Sequence, residues 1–189
     1  RLVKGKEDKY RWRERFGRQG CIRPEGKLIW MHGASVGECL SMLSLIKCLL
    51  DKDPDLPIMV TSGTVTSAEI MKKRLPERAF HHYLPIDAPG FTTRLIHHFK
   101  PQAVFWFESE FWPTTLAAIQ KSKTPLILLN GRISDRSFAR WQKYPQVIRL
   151  ILSCFTYTLG QSEEDARRLQ VLGSPNTDCV GNIKCAATA

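Results

Sequence analysis

The sequence predicts an α/β fold in which a Rossmann-like parallel sheet is flanked by helices. Short apolar, β-branched runs alternate with longer amphipathic stretches, which is the pattern of repeated βαβ units. Some of the runs, such as residues 103–107, are apolar on both faces, as a sheet covered by helices on both sides requires. The length of 189 residues is sufficient for one well-packed domain.

The elements follow from these patterns in chain order. The strands are assigned to residues 27–31, 57–61, 79–84, 103–107, 125–129, 156–159 and 178–180. The helices are assigned to residues 8–16, 36–51, 65–74, 89–99, 113–121, 135–142, 145–152 and 163–172. Pro113 and Pro145 suit a first helical turn, and Ser162 with Asp165 three residues later is a capping box.

The composition is that of a globular protein. With 43% hydrophobic and 24% charged residues, the chain is not of the disordered class. It contains no apolar run of membrane-spanning length and no signal peptide. The six cysteines form no C-x-x-C pair and have no histidine at zinc-ligand spacing, so we expect a reduced, cytoplasmic protein without a bound metal.

The positive charge is concentrated at the start of the chain. The formal net charge is +10, and residues 1–20 carry eight basic and three acidic side chains. Tyr10, Trp12 and Phe16 recur near helical spacing, so the segment is predicted to be an amphipathic helix that packs on the sheet or contacts a membrane surface. Anionic lipid, a phosphorylated substrate and nucleic acid all fit such a charge, and so does a purely solubilising role. Nucleic acid is the weakest of these because no aromatic platform for bases is evident.

Residues 32–38, H-G-A-S-V-G-E, follow the first predicted strand and fit three patterns. G-x-S-x-G is the nucleophile elbow of serine hydrolases, but no histidine follows an acidic residue at a strand end, which argues against a catalytic triad. Ser35 and Glu38 match a helix capping box. Gly37 weakens a helix start, and its presence is explained if a ligand approaches the backbone there. Glu38 can then face a cleft as a proton acceptor.

Glu108 and Glu110 form a second acidic position, at the end of the fourth predicted strand. If the extended geometry continued, the two carboxylates would share one face, and such a pair can separate its pKa values for acid–base chemistry. The alternative is that one of them caps the helix that begins near Pro113.

Other polar residues fall at strand ends, where ligands bind in folds of this class. Thr61 and Thr64 belong to a hydroxyl-rich loop that opens a helix. Arg132 follows the fifth strand, and Asn182 and Lys184 follow the last one. These residues suit anion binding, and equally ordinary capping and turn formation.

Five motifs resemble those of the 3-deoxy-D-manno-octulosonic acid (Kdo) transferases, glycosyltransferase family 30. They are H-G-A-S-V-G-E, E-S-E-F-W-P, N-G-R-I-S, Q-S-E-E-D-A-R-R-L-Q-V-L-G and G-N-I-K. The resemblance covers residues 18–184. Each motif alone is weak, but five in order at predicted strand ends form a specific signal.

The resemblance implies one half of a two-domain GT-B glycosyltransferase. Residues 1–20 would be a basic helical segment that lies against anionic lipid, and residues 21–184 the Rossmann-like domain that binds a phosphorylated lipid A precursor (lipid IVA). Residues 185–189 would begin the linker to a domain that binds CMP-Kdo, so this chain alone would be inactive. The enzyme would serve lipopolysaccharide biosynthesis at the cytoplasmic face of the inner membrane of a Gram-negative bacterium, bound peripherally or anchored upstream of residue 1.

The resemblance also implies roles for individual residues. Glu38 would be the general base of an inverting displacement that needs neither a cofactor nor a protein-bound metal. The acceptor site would be supported by Ser35, Gly37, Thr61, Thr64, Glu108, Glu110 and Arg132. Asn182 and Lys184 would lie at the junction between the domains.

Two other functions remain compatible with the sequence. The first is another GT-B glycosyltransferase that uses a different nucleotide sugar or acceptor, since the fold alone does not fix the substrate. The second is a basic, non-catalytic module that docks on membranes.

Overall fold

The structure, a computed structural model, describes residues 7–18 and 20–182. These residues form a seven-stranded parallel sheet with neighbours in the order β3-β2-β1-β4-β5-β6-β7. The strands are β1 (Ile29–His32), β2 (Ile58–Ser62), β3 (Ala79–Tyr83), β4 (Ala103–Phe107), β5 (Leu126–Gly131), β6 (Tyr157–Gly160) and β7 (Thr177–Cys179). The helices are α1 (Val36–Lys52), α2 (Val65–Arg74), α3 (Phe91–Phe99), α4 (Pro113–Lys121), α5 (Asp135–Gln142), α6 (Pro145–Leu152) and α7 (Glu163–Val171).

The predicted α/β fold is confirmed, with small differences at the ends of elements. β1 begins at Ile29 and includes His32, so it lies later in the chain than predicted. β5 continues to Gly131, two residues beyond its predicted end. α3 begins at Phe91 rather than at residue 89, because Gly90 adopts a left-handed conformation with a φ of 83° that a continuing helix cannot contain.

Helices cover both faces of the sheet, and each face has its own core. On one face, strand residues such as Trp30 and Trp106 pack with apolar residues of α3, α4, α6 and α7. On the other face, strand residues such as Met31 and Val60 pack with α1 and α2. The alternation of side chains along β1 therefore decides which core each residue joins. No described helix combines the length and apolar character that crossing a membrane requires.

The predicted α-helix over residues 8–16 is wrong. The structure has instead a five-residue 3-10 helix, Trp12–Phe16, which ends at Gly17 with a φ of 67°. The Asp8 carboxylate accepts hydrogen bonds from the backbone N–H groups of Tyr10 at 2.8 Å and Arg11 at 3.0 Å. This local turn offers the backbone an alternative to α-helical hydrogen bonds.

The N-terminal segment, defined here as residues 7–18, packs against β3 at the edge of the sheet. The Glu14 carboxylate is buried and accepts a hydrogen bond of 2.8 Å from the backbone N–H of Tyr83 in β3. It also accepts two hydrogen bonds, of 2.8 and 2.9 Å, from the Arg11 guanidinium. Glu14 thus satisfies an edge-strand donor that the sheet leaves without a partner.

Arg15 connects the same segment to two loops. Its side chain is 7% exposed and donates to the carbonyl groups of Gly63 at 2.7 Å and Leu84 at 3.1 Å, which follow β2 and β3. It also pairs with Glu7 at 2.9 Å. Part of the basic charge of this segment therefore holds the fold together and is not presented to a partner.

Candidate active site

The sheet reverses its strand order between β1 and β4, which makes this place the topological switch point of the fold. The register sets three strand ends side by side, with His32 of β1 paired to Thr61 of β2 and to Trp106 of β4. From β1 the chain enters α1 on one face, and from β4 it enters α4 on the other. Ligands of doubly wound folds bind at such a topological switch point, at the carboxyl ends of the strands.

Glu38 lies in the first turn of α1, which follows β1 at the switch point. The residue is 7% exposed, and its Oε2 accepts a hydrogen bond of 2.7 Å from the backbone N–H of Ala34. Its own N–H donates to Ser35 Oγ at 3.2 Å, which confirms the predicted cap. The Ala34 N–H thus fixes the position of one oxygen of the Glu38 carboxylate at the N-terminus of α1.

Ser35 is an N-cap and not a nucleophile. Its hydroxyl accepts from Glu38, and no described imidazole is hydrogen-bonded to it. The serine-hydrolase interpretation of G-x-S-x-G therefore has no support in the structure. Gly37 is exposed, and a Cβ added there would meet only Ser35 Oγ, at 3.9 Å. The space over Gly37 is open to a ligand.

The prediction that Glu108 and Glu110 share one face is wrong. Glu108 has a φ of 58°, a left-handed conformation that ends the extended strand before alternation can reach Glu110. The carboxylate pair that does interact joins Glu110 to Glu38. Partial burial raises the pKa of the Glu110 carboxyl, and the negative charge of Glu38 raises it further. Two acidic groups from opposite sides of the switch point thus influence each other.

The first turn of α4 is capped by Asp87, and not by Glu108 or Glu110 as the alternative prediction had it. The carboxylate of Asp87, in the loop after β3, accepts hydrogen bonds from the backbone N–H groups of Thr114 at 3.3 Å and Thr115 at 2.7 Å. The backbone carbonyl of Glu110 accepts from Trp106 Nε1 at 2.9 Å. This bond fixes the loop after β4, while the Glu110 carboxyl stays at the surface.

Three buried side chains near the ends of β1 and β2 form a hydrogen-bonded series that the sequence did not predict. Trp30 Nε1 donates to Thr61 Oγ1 at 2.8 Å, and Thr61 Oγ1 lies 2.9 Å from His32 Nδ1. The His32 ring packs on Trp106, with centroids 4.1 Å apart, and burial lowers the pKa of His32 to about 3. Thr61 therefore holds a neutral histidine and is itself fully buried.

His32 Nε2 and Trp112 Nε1 are the buried side-chain polar atoms that have no hydrogen-bond partner within the described residues. Both belong to stretches that flank the switch point, the end of β1 and the residue before α4. The signal that could have found His32 is its place as the first letter of H-G-A-S-V-G-E, immediately before the loop.

The remaining predicted residues occupy separate places along the carboxyl edge of the sheet. The backbone N–H of Arg132 donates to Ser109 Oγ at 2.9 Å, which joins the loops after β5 and β4. Thr64 caps α2 through a 3.1 Å bond from Ser67 N–H. Asn182 follows β7, three strands from β4 or about 14 Å at usual strand spacing. Lys184 lies outside the described residues. Within residues 7–18 and 20–182, no group of three His, Cys, Asp or Glu side chains could hold a metal ion.

Solved structures with a similar fold include UDP-GlcNAc 2-epimerases. The enzyme from Neisseria meningitidis has a TM-score of 0.58 and 16% identity, over 86% of this chain and 48% of that one. The enzyme from Rickettsia bellii also has a TM-score of 0.58, with 18% identity over 85% of this chain and 46% of that one. At this identity the likeness shows the fold alone, a Rossmann-like half of a GT-B architecture.

Sequence relatives share a single description. Residues 10–187 match the family described as 3-deoxy-D-manno-octulosonic-acid transferase (kdotransferase). A protein of that name from Rickettsia bellii is 41% identical over 98% of this chain and 44% of its own length. A probable mitochondrial one from Arabidopsis thaliana is 36% identical over 93% of this chain and 40% of its own length, and one from Haemophilus influenzae is 32% identical over 97% and 44%.

The chain therefore spans somewhat less than half the length of these relatives. The match covers the switch-point loops, the cap at Glu38 and nearly all of the described sheet. By family match and by identity over most of its length, the chain belongs to the Kdo transferase family.

Proposed function

We propose that this chain is the acceptor-binding half of an inverting Kdo transferase of lipopolysaccharide biosynthesis. The donor would be CMP-Kdo, bound by a second domain, and the acceptor a phosphorylated lipid A precursor such as lipid IVA. The observation that carries the proposal is the buried carboxylate of Glu38, held at the topological switch point of a chain that belongs to this family.

Glu38 acts as the general base in this proposal. Its Oε2 is occupied by the Ala34 N–H, and its Oε1 accepts no hydrogen bond from the described residues. Oε1 takes the proton of an acceptor hydroxyl while that oxygen attacks the anomeric carbon of Kdo and the bond to CMP breaks on the opposite face. Anomeric configuration is inverted, and the electron pair of the broken bond leaves with CMP.

Glu110 is the second acidic group at the switch point in this proposal. Its pKa is raised by burial and by the negative charge of Glu38. Its carboxylate accepts a hydrogen bond from a second hydroxyl of the acceptor, beside the hydroxyl that Glu38 deprotonates.

We place the enzyme at the cytoplasmic face of the inner membrane. Support comes from exposed aromatic and basic side chains that lie together in the N-terminal segment. Tyr10 is 93% and Trp12 38% exposed, and the exposed Arg13 lies over the Trp12 ring. Aromatic rings beside cations suit an anionic headgroup layer. Replacing the almost fully exposed Tyr10 by Ser should weaken binding of the chain to anionic vesicles and leave its melting temperature unchanged.

Binding of acceptor to this chain is the first test. The probe is a bis-phosphorylated lipid A precursor in detergent micelles, compared with its dephosphorylated form, with CMP-Kdo and with a plain anionic lipid, at two salt concentrations. Saturable, phosphate-dependent and salt-sensitive binding, without binding of CMP-Kdo, supports the acceptor half. Equal binding of the plain anionic lipid would leave only a membrane-docking module.

The catalytic step is tested in the whole transferase. Glu38→Gln keeps an oxygen acceptor for the Ala34 N–H but removes the base, so we expect the transfer rate to fall by about 10²–10⁴-fold. Glu69→Gln, on the exposed side of α2, is the matched control and should transfer normally. A Glu38→Gln rate within threefold of the control would remove Glu38 from this role.

A further inference from the structure

A cavity opens beside Glu110, between the loop after β4 and the helix pair α5 and α6. Its volume is about 250 Å³. Its lining includes Phe111, Pro113, Arg132, Arg140, Trp141 and Ile151, together with Glu110 at the side that faces the switch point. The cavity thus extends from Glu110, which interacts with the proposed base, to residues of α5 and α6 that have no role in the transfer step.

Two cations at this cavity have no acidic partner. Arg132 and Arg140 are exposed and form no ion pair with the described residues. The acidic residue of α5, Asp135, pairs with Arg168 of α7 instead. Arginine presents a planar fork that matches phosphate oxygens, and two unneutralised forks at one cavity favour an anion there.

Most of the other lining residues are apolar, and α6, which contributes Ile151 to the lining, also carries exposed apolar side chains. Phe111 and Trp141 pack against the core from the cavity side. Val147 and Leu150 are three residues apart on α6, so they are neighbours on its surface, and Tyr144 is the N-cap of the same helix. The three residues are 49%, 71% and 59% exposed, respectively. A row of large exposed apolar side chains in a soluble domain usually marks a surface that receives an apolar partner.

The cavity is somewhat smaller than the roughly 300 Å³ at which whole small-molecule sites begin, so it suits part of a larger ligand. We infer that it is the subsite for one phosphate of the acceptor and for the first part of the neighbouring acyl chain. Arg132 and Arg140 bind the phosphate, Phe111 and Trp141 contact the chain, and the Tyr144–Leu150 row carries the chain onward. The inference rests on the proposed function, because it names where that acceptor lies.

Glu110 sets the orientation of the ligand. A carboxylate repels a phosphate, so the phosphate lies at the arginine side and the sugar hydroxyls lie at the Glu110 side. This orientation directs the sugar toward Glu38, whose charge acts on Glu110. When the phosphate of the acceptor lies between Arg132 and Arg140, the sugar of the acceptor therefore lies next to Glu38.

The test measures dissociation constants of this 189-residue chain for three probes: the bis-phosphorylated tetra-acyl glucosamine disaccharide, its dephosphorylated form and its de-acylated form. Arg140→Gln should weaken binding of the phosphorylated probe about tenfold and leave the dephosphorylated probe within twofold. Arg136→Gln is the matched control, an exposed arginine of the same helix that does not line the cavity. Leu150→Asn should weaken the tetra-acyl probe and leave the de-acylated probe unchanged.

The outcomes separate this inference from the proposed function. If the unmodified chain binds the phosphorylated probe preferentially but Arg140→Gln and Arg136→Gln behave alike, the acceptor half stands and the subsite is refuted. If the unmodified chain shows no preference for phosphate, both fall. All these side chains are exposed, so equal melting temperatures are expected and exclude unfolding as the cause.

Discussion

Gly37→Ala should raise the free energy of unfolding of the chain and weaken its binding of the acceptor. Gly37 is the second residue of α1, after the N-cap Ser35, and a Cβ there would meet only Ser35 Oγ at 3.9 Å. Nothing within the fold therefore requires glycine. Glycine in a helix costs about 0.5–1 kcal/mol relative to alanine. For a chain of this length, the substitution should raise the melting temperature by about 1–4 °C.

The expected loss of binding follows from the same open space. The Gly37 N–H lies in the first turn, where the helix provides no acceptor for it, so a ligand oxygen can approach it closely. The methyl group of an alanine would stand where the ligand approaches the backbone, and such an overpacked contact costs about 1 kcal/mol or more. The dissociation constant should therefore increase roughly fivefold.

The assay pairs thermal unfolding with titration of the bis-phosphorylated glycolipid. Thr66→Ala is the matched control, because Thr66 is the exposed second residue of α2, away from the switch point. A Gly37→Ala chain that melts higher and binds as tightly as the unmodified chain would refute a ligand approach at Gly37. A lower melting temperature would instead contradict the conclusion that the fold leaves room for a side chain at residue 37.

Three further substitutions test the fold around the site. Glu14→Ala leaves the buried N–H of Tyr83 without an acceptor and removes the carboxylate beside Arg11, whose guanidinium keeps its hydrogen bond to the His81 carbonyl. Urea unfolding should therefore show a loss of about 1–3 kcal/mol, and a loss below about 0.5 kcal/mol would contradict the buried hydrogen bond. Gly160→Ala brings a Cβ to 2.6 Å from the backbone nitrogen of Ala166 and should cost about 1–3 kcal/mol, whereas unchanged stability would mean that α7 can shift freely. His32 is neutral when folded, with a pKa of about 3, but takes a proton near pH 6.5 when unfolded. Stability should therefore fall as the pH drops below 6.5, by about 1.4 kcal/mol per pH unit between about pH 5.5 and 4, and His32→Gln should remove that much of the slope in a denaturation series over that range.

The sheet could be predicted from the sequence because its signals are local. Apolar runs and cap residues lie close together in the chain, and Ser162 does accept from the Asp165 N–H at 3.1 Å as its capping box indicates. The N-terminal helix was predicted wrongly because its side chains are used elsewhere. Glu14 bonds to β3 about 70 positions away, and no helical periodicity reveals such a contact.

The site was only partly predictable for a related reason. The cap at Glu38 is local and was found. The left-handed φ of 58° at Glu108 was not, since this conformation is rare for a residue other than glycine, asparagine or aspartate. The contact of His32 with Thr61 depends on the register between β1 and β2, which sequence patterns did not specify. The arginine-lined cavity depends on how α5 and α6 pack.

The bonds made by Glu14 and Arg15 determine where this protein can be shortened. The charge pattern invites a cut near residue 21, in front of the first strand. Such a cut would expose the backbone N–H of Tyr83 and free the carbonyl groups of Gly63 and Leu84. An uncovered β3 could then pair with the same strand of another molecule, and the trimmed protein would aggregate. The basic N-terminal segment, which the sequence alone would let one remove, therefore protects this edge of the sheet.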